Sequence, residues 1–424
     1  MSKSVDPAAL DLSAILRPGD HIVWGQACGE PTTLVEALIA QAEGIGPLCA
    51  FAATSFSGIL TAEASRHVAI SSMGAMGALR TIATTGRLGI VPCHVSQVGT
   101  FIEQGLIGCD VAFVQVSPAD DHGNHSYGLI SDFVRAAVAK ARVVIAEVND
   151  RVPFTLGDAT LPATRIDYAV HVDRMPVEVA PAQIGATDLA IAKIAAGYIE
   201  NGAVLQVGIG AVPDAILRLL GDRRDLGVHS GMIGDGLVDL VEAGVITNAC
   251  KSIDPGVSIT GALIGTRRLF EFVHRNPQIG MRSSSYTHNE AVLSRLDRLV
   301  TLNSAVEVDL TGQVNAEQSG SQYLGGTGGQ VDYVRAGSRS PGGHSIIALP
   351  ATAKGGKVSR ITTALSGPVT TARSEVDVIV TEFGAAELKG QTLTERTRRL
   401  VGIAHPDFRD ELDRAAHDIR TRGF

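Results

Sequence analysis

The run His229-Ser230-Gly231-Met232, with Asp235 and Asp239 shortly after it, holds the residue types of a serine hydrolase. The setting argues against that chemistry. Ser230 lacks the Gly-x-Ser-x-Gly frame of a nucleophile elbow. His229 and Ser230 are also neighbours on a predicted strand, where successive side chains point to opposite faces. Asp235 and Asp239 suit the first turn of a helix, where a carboxylate meets unpaired N–H groups.

Three other segments place glycine and polar residues where a packed core would use neither. Gln206-Val-Gly208-Ile-Gly210-Ala-Val-Pro213 reads as a strand, a glycine turn and a helix start. Free N–H groups at such a turn can cradle an oxyanion or a phosphate; a plain strand-to-helix turn is the other reading. Glu307 to Glu317 precedes Gly326-Thr-Gly328-Gly329-Gln330, whose missing side chains let the backbone approach a ligand closely. Ile346 to Arg360 closes on Lys354, Lys357 and Arg360, either a solvated basic loop or a contact for nucleotide phosphates.

These segments need elements to hold them. His21–Trp24 predicts a strand, and Pro31 opens a helix with Leu34, Leu38 and Ala42 on one face. Val111–Val116 and Val143–Val148 are nearly continuous β-rich runs, as strands buried on both faces should be. The stretch from Ser131 to Ala141 reads as the crossover helix between them, giving the βαβ pattern of a parallel sheet. A second series begins near residue 187, with Val204–Val207 as a strand, Pro213 as the first residue of a helix, and Ala305 to Val314 as a strand with one exposed face. The Pro-, Thr- and Asp-rich segment 150–186 places a boundary between domains 1–186 and 187–424. The fold class expected is α/β, in two halves of similar size.

Bulk properties narrow the partners. The chain has 424 residues, 45% hydrophobic and 19% charged, which fits a well-packed protein and excludes a disordered one. A net charge of −8 argues against nucleic acid, whose binders are usually basic. The five cysteines form no Cys-x-x-Cys pair, so reduced thiols are expected and no metal site. No signal peptide or bilayer-spanning run is legible, and a cytoplasmic protein without membrane partners is expected.

Taken together, the strings EPTTLVEAL (30–38), AEVNDRVP (146–153), LQVGIGAVPDAIL (205–217), DGLVDLVEAGVITN (235–248), EVDLTGQVNAE (307–317), GTGGQVDYVR (326–335), VTEFGAAELKG (380–390) and IAHPDFRDEL (403–412) resemble the acetyl-CoA hydrolase/CoA-transferase family. The likeness is greatest to its 4-hydroxybutyrate CoA-transferase branch. It implies two similar CoA-transferase-like α/β domains with the active site between them, as a homodimer. It also implies a coenzyme A thioester as substrate, with no tightly bound cofactor and no metal. By the same resemblance Gly326, Gly328, Gly329 and Gln330 belong to the CoA-binding segment, and Gly208 and Gly210 lie near the reacting carbonyl.

The family's transfer reaction runs through a glutamate that takes up CoA as a thioester, within a His-Ser-Glu-Met or His-Thr-Glu-Met string. Here Gly231 stands at that position, and the flanks align without a gap. Relatives also carry a Pro-Val-Asp-Tyr-(Val/Ile)-Asn string where this chain has Ser283-Ser-Ser-Tyr-Thr-His288-Asn-Glu290. An acyl-CoA enzyme with altered chemistry is therefore expected: hydrolysis, acyl transfer, cyclisation or carbon–carbon cleavage. His288 and Glu290 are the candidate catalytic residues, ahead of His229 and Glu317; His288 reads equally as an exposed loop histidine. The alternatives are a transferase using a relocated carboxylate such as Glu290, and a non-catalytic acyl-CoA-binding protein.

Overall fold

The computed structural model describes residues 2–422. The chain divides into two compact units, the first comprising Met1–Ala180, Gly231–Asp235 and Val257–Asn289, the second the remainder. The division expected at residue 186 is contiguous; these units are not. Two later segments, one of them the end of a strand, pack with the first unit.

In the first unit, eight strands form one parallel sheet. They are β1 (Lys3–Val5), β2 (His21–Trp24), β3 (Leu48–Phe51), β4 (Val68–Ser72), β5 (Gly89–Ile90), β6 (Val111–Val116), β7 (Val143–Asn149) and β8 (Tyr168–Val172). Their order is β1-β8-β7-β6-β2-β3-β4-β5. β6 is buried at every residue, as its unbroken apolar run predicts for a sheet covered on both faces. Helix α1 (Thr32–Ile45) buries Leu34, Leu38 and Ala42. The crossover helix expected over 131–141 is shorter, Val134–Lys140, with Phe133 as its N-cap and the Phe133 N–H donating to the Asp132 carboxylate. Strand order reverses between β2 and β6, the point where open α/β sheets place polar, ligand-facing loops.

The second unit is built on β9 (Val204–Val207), β10 (Gly227–Ile233), β11 (Leu299–Ser304), β12 (His344–Ala348), β13 (Val378–Thr381) and β14 (Gly384–Glu387), in the order β10-β9-β11-β12-β13-β14. Only the β13–β14 pair is antiparallel. β10 leaves this unit at Ser230, and Gly231–Ile233 continue it in the first. α2 (Ala211–Arg218) and α3 (Gln330–Arg339) each follow a glycine turn. Pro213 is the third residue of α2, where its missing N–H leaves no bond unmade.

The single strand expected from Ala305 to Val314 is instead two short antiparallel pieces, Glu307–Asp309 and Val314–Asn315. Asp309 breaks it. Its carboxylate accepts from Thr311 N and Oγ1 and from Gln313 N and Nε2, folding the chain back as an Asx turn.

Candidate active site

Ser230 is fully buried on β10 and spends its hydroxyl on the neighbouring strand. Its Oγ donates to Val207 O at 2.9 Å and accepts from Val207 N at 3.2 Å. That pair holds β9 and β10 together where their ladder ends, and it removes Ser230 as a nucleophile. His229 is as deeply buried as Ser230, because both faces of β10 are covered here.

Gly231 begins the part of β10 that belongs to the first unit. It sits in a strand and is absent from the glycines with positive φ. Around it, backbone packs unusually closely. A Cβ on Gly261 would lie 3.2 Å from Gly231 O, 3.3 Å from Arg282 O and 3.5 Å from Thr287 Oγ1. The absent side chain at Gly261 therefore lets Gly231, Arg282 and Thr287 all approach Gly261 closely.

Thr287 ends the short helix Ser284–Thr287 and leads directly to His288. His288 is buried, at 7% exposure, and is not the solvent-exposed loop residue that the sequence also allowed. Thr287 Oγ1 donates to Ser283 O at 3.3 Å and lies 2.9 Å from His288 Nδ1. In the second contact either atom can donate, according to the tautomer of the ring.

Glu290 is placed differently. It opens the helix Glu290–Leu293 in the second unit, 71% exposed, with Oε1 accepting from Arg339 Nη1 at 2.7 Å. His288 and Glu290, two residues apart in sequence, fall into different units. A surface ion pair of this kind is worth about 0–1 kcal/mol. Glu317 is buried but occupied, accepting from the hydroxyls of Tyr323 and Thr370, both at 2.8 Å.

The glycine segments of the second unit have a different character. A Cβ at Gly208 or Gly210 would meet no atom within 4 Å, so packing does not demand these glycines. Gly210 is required by its φ of +124°, which sets the turn into α2. In the other segment Gly328 has φ +57° and Gly329 caps the start of α3. The first residue of α3, Gln330, is 8% exposed, and its Nε2 donor has no hydrogen-bond partner among the described residues. Leaving a buried donor unmet costs about 1–3 kcal/mol. An acceptor on a bound molecule would remove that cost, beside a helix N-terminus already suited to an anion. Lys354 and Lys357 are exposed in a loop, while Arg360 is partly buried, and burial lowers its pKa.

Three buried carboxylates of the first unit escaped the sequence reading. Glu30 is 1% exposed and accepts the Ser55 hydroxyl at 3.1 and 3.0 Å on its two oxygens; burial raises its pKa against the pull of Ser57 and Ser55. Asp132 is pushed up to about 6 by burial, opposed by Gln26 and the N–H of Phe133. Glu147, on β7, is pushed up to about 7 by burial, although Thr33 N and Leu34 N donate to its Oε2. The one signal available was Glu147 itself, a lone charge inside the apolar run Val143–Val148. All five cysteines are unpaired thiols, and burial pushes Cys28 and Cys109 up to about 12. Among the described residues no cluster of His, Cys, Asp or Glu could hold a metal ion, and no helix is long and apolar enough to cross a membrane.

This arrangement agrees with what the chain is similar to. The acetyl-CoA hydrolase/transferase N-terminal domain matches residues 8–181, and the C-terminal domain of the same family matches 265–416. The 4-hydroxybutyrate coenzyme A transferase of Clostridium kluyveri is 42% identical over 396 residues, 92% of each chain. RipA from Yersinia pestis superposes with a TM-score of 0.93 at 34% identity, covering 99% of this chain and 98% of that one. A 4-hydroxybutyrate CoA-transferase from Porphyromonas gingivalis gives 0.82 at 33% identity, over 99% and 98%. The chain belongs to the acetyl-CoA hydrolase/transferase family and is an acyl-CoA-processing enzyme.

Proposed function

We propose that this enzyme cleaves an acyl-CoA thioester with water and never forms a glutamyl-CoA intermediate. The observation that carries the reading is Gly231: a residue without a side chain stands where the family string has its glutamate, between a Ser230 tied to Val207 and Met232. Neither neighbour supplies a carboxylate. In this reading the glycine segments Gly208–Gly210 and Gly326–Gln330 bind the CoA thioester and stabilise its developing oxyanion. Water attacks the thioester carbon and passes a proton to the His288 imidazole. The carbon–sulfur bond then breaks, and the CoA thiolate leaves with that proton. Acyl transfer to another acceptor, cyclisation, or cleavage of a carbon–carbon bond beside the thioester would use the same oxyanion donors.

Glu290 is a poor replacement nucleophile in this reading, because its carboxylate is held at the surface by Arg339. We also propose that the chain works as a homodimer, which mass measurement in solution checks. The central test offers acetyl-CoA and butyryl-CoA in heavy-oxygen water, with and without free acetate. Thiol release without acetate, with label in the product acid, is the expected result. Intact-protein mass spectrometry after borohydride would instead reveal any glutamyl-CoA adduct. An adduct formed at the rate of turnover, or thiol release that requires acetate, would sink the hydrolytic reading.

A further inference from the structure

A cavity of about 300 Å³ opens in the first unit beyond the carboxyl ends of β6, β7 and β8. The chain leaving each strand contributes to it, at Ser117, at Asp150 and at Met175. In parallel α/β sheets this is the end where loops gather around ligands. Its fourth side is the helix Arg267–Val273 with the two residues that follow.

The cavity has one apolar wall. Phe154 and Phe270 are nearly buried, while Met175 is 42% exposed at the mouth. An unbranched thioether left in water beside two rings is a surface ready to close on an apolar body.

The opposite character comes from Arg275. Its guanidinium lies 4.8 Å from the centre of the Phe154 ring, and no carboxylate pairs with it among the described residues. The other arginines of the lining are neutralised, Arg151 by Asp173 and Arg267 by Glu271 at 2.6 Å. Arg275 is also held at φ +51°, which non-glycine residues seldom adopt, by its N–H to Phe154 O at 2.8 Å. Beside it, His274 Nδ1 accepts from Phe154 N at 3.1 Å, so a neutral ring carries its proton on Nε2 as a second donor. Asp150 lines the cavity too and disfavours a second negative charge on an occupant.

We propose that this cavity binds a small apolar monocarboxylate, its acid group on Arg275 and His274 and its body against Phe154, Phe270 and Met175. A planar carboxylate suits a guanidinium whose face is already fixed by stacking. This site is separate from the thioester reading and stands if that reading fails.

The test is calorimetry and saturation-transfer NMR on the full chain with hexanoate, benzoate, phenyl phosphate and inorganic phosphate. Hexanoate and benzoate should bind saturably, and inorganic phosphate should not. Arg275→Gly removes the cation and suits the backbone angle; it should weaken both acids by about tenfold or more. Met175→Asp should weaken them as well, with CoA affinity and melting temperature unchanged in both variants. The proposal is overturned if neither acid binds at millimolar concentration, or if binding survives both substitutions. Preference for phenyl phosphate over benzoate would overturn the carboxylate assignment. A fall in solution mass in Arg275→Gly would mean that a second copy of the chain fills the cavity instead.

Discussion

The two units handle chemistry in different ways. The second offers fixed dipoles at its glycine segments: turns at Gly208–Gly210 and Gly326–Gly329, the starts of α2 and α3, and the buried amide of Gln330. None of those groups titrates near neutrality. The first unit buries His288 and three carboxylates whose pKa burial raises, Glu30, Asp132 and Glu147, whereas the second buries the Lys251 ammonium, which burial pushes down to about 8. In the proposed reading the backbone donors recognise the acyl-CoA, and the proton-handling groups determine which step follows. Gly231 and Ser283–His288 lie in the first unit, and the glycine segments Gly208–Gly210 and Gly326–Gly329 in the second.

The largest effect is expected from Gly231→Glu. This position lies in a strand without positive φ, so the backbone does not resist a side chain. Restoring the family string should create a borohydride-sensitive CoA adduct and raise acetate-dependent transfer by about 10³-fold or more, the scale on which a nucleophile acts. A folded variant with no adduct would mean that the first unit has lost more than the carboxylate.

Next comes His288→Ala, which should lower thiol release by about 10²- to 10⁴-fold while leaving the affinity for CoA unchanged. An unaltered rate would remove His288 from the mechanism and take the proton chemistry out of this part of the first unit.

Gly328→Val probes the opposite side of the comparison. A β-branched residue at φ +57° strains the turn by about 1–3 kcal/mol. Acyl-CoA affinity should fall about tenfold, visible by calorimetry, with the circular dichroism spectrum retained. Unchanged affinity in the folded variant would move CoA recognition away from this segment.

The smallest effect is on stability and its pH dependence. Glu147 has a folded pKa of about 7, above the ordinary 4.5. The folded chain therefore holds that proton where the unfolded chain has released it, so this residue makes the protein less stable as pH rises from about 4.5 to 7. Glu147→Gln mimics the protonated form. It should be more stable than wild type at pH 8 by about 2 kcal/mol, with the difference shrinking below pH 5. Urea unfolding at the two pH values checks this, and parallel curves for the two proteins would disprove it.

Much of the frame was legible in residue order. The unbroken apolar runs of β6 and β7 could satisfy their backbone only as strands covered on both faces. The glycine turns before α2 and α3 were visible because glycine is the residue that tolerates such angles. That position 231 is a glycine needed no structure at all. What sequence could not give depends on which groups lie close in space. The strand expected through Thr311 breaks because Asp309 collects four donors, a bonding pattern that periodicity does not encode. His288 reads equally as an exposed loop residue until the fold buries it against Thr287, and Glu290, two residues on, is at the surface with Arg339. The raised pKa values of Asp132 and Glu147 come from desolvation, which exists only once distant segments have closed over them. Residue type and spacing determined the elements and the glycine turns; burial, set by the tertiary structure alone, decided which of the remaining polar groups have their proton affinity shifted.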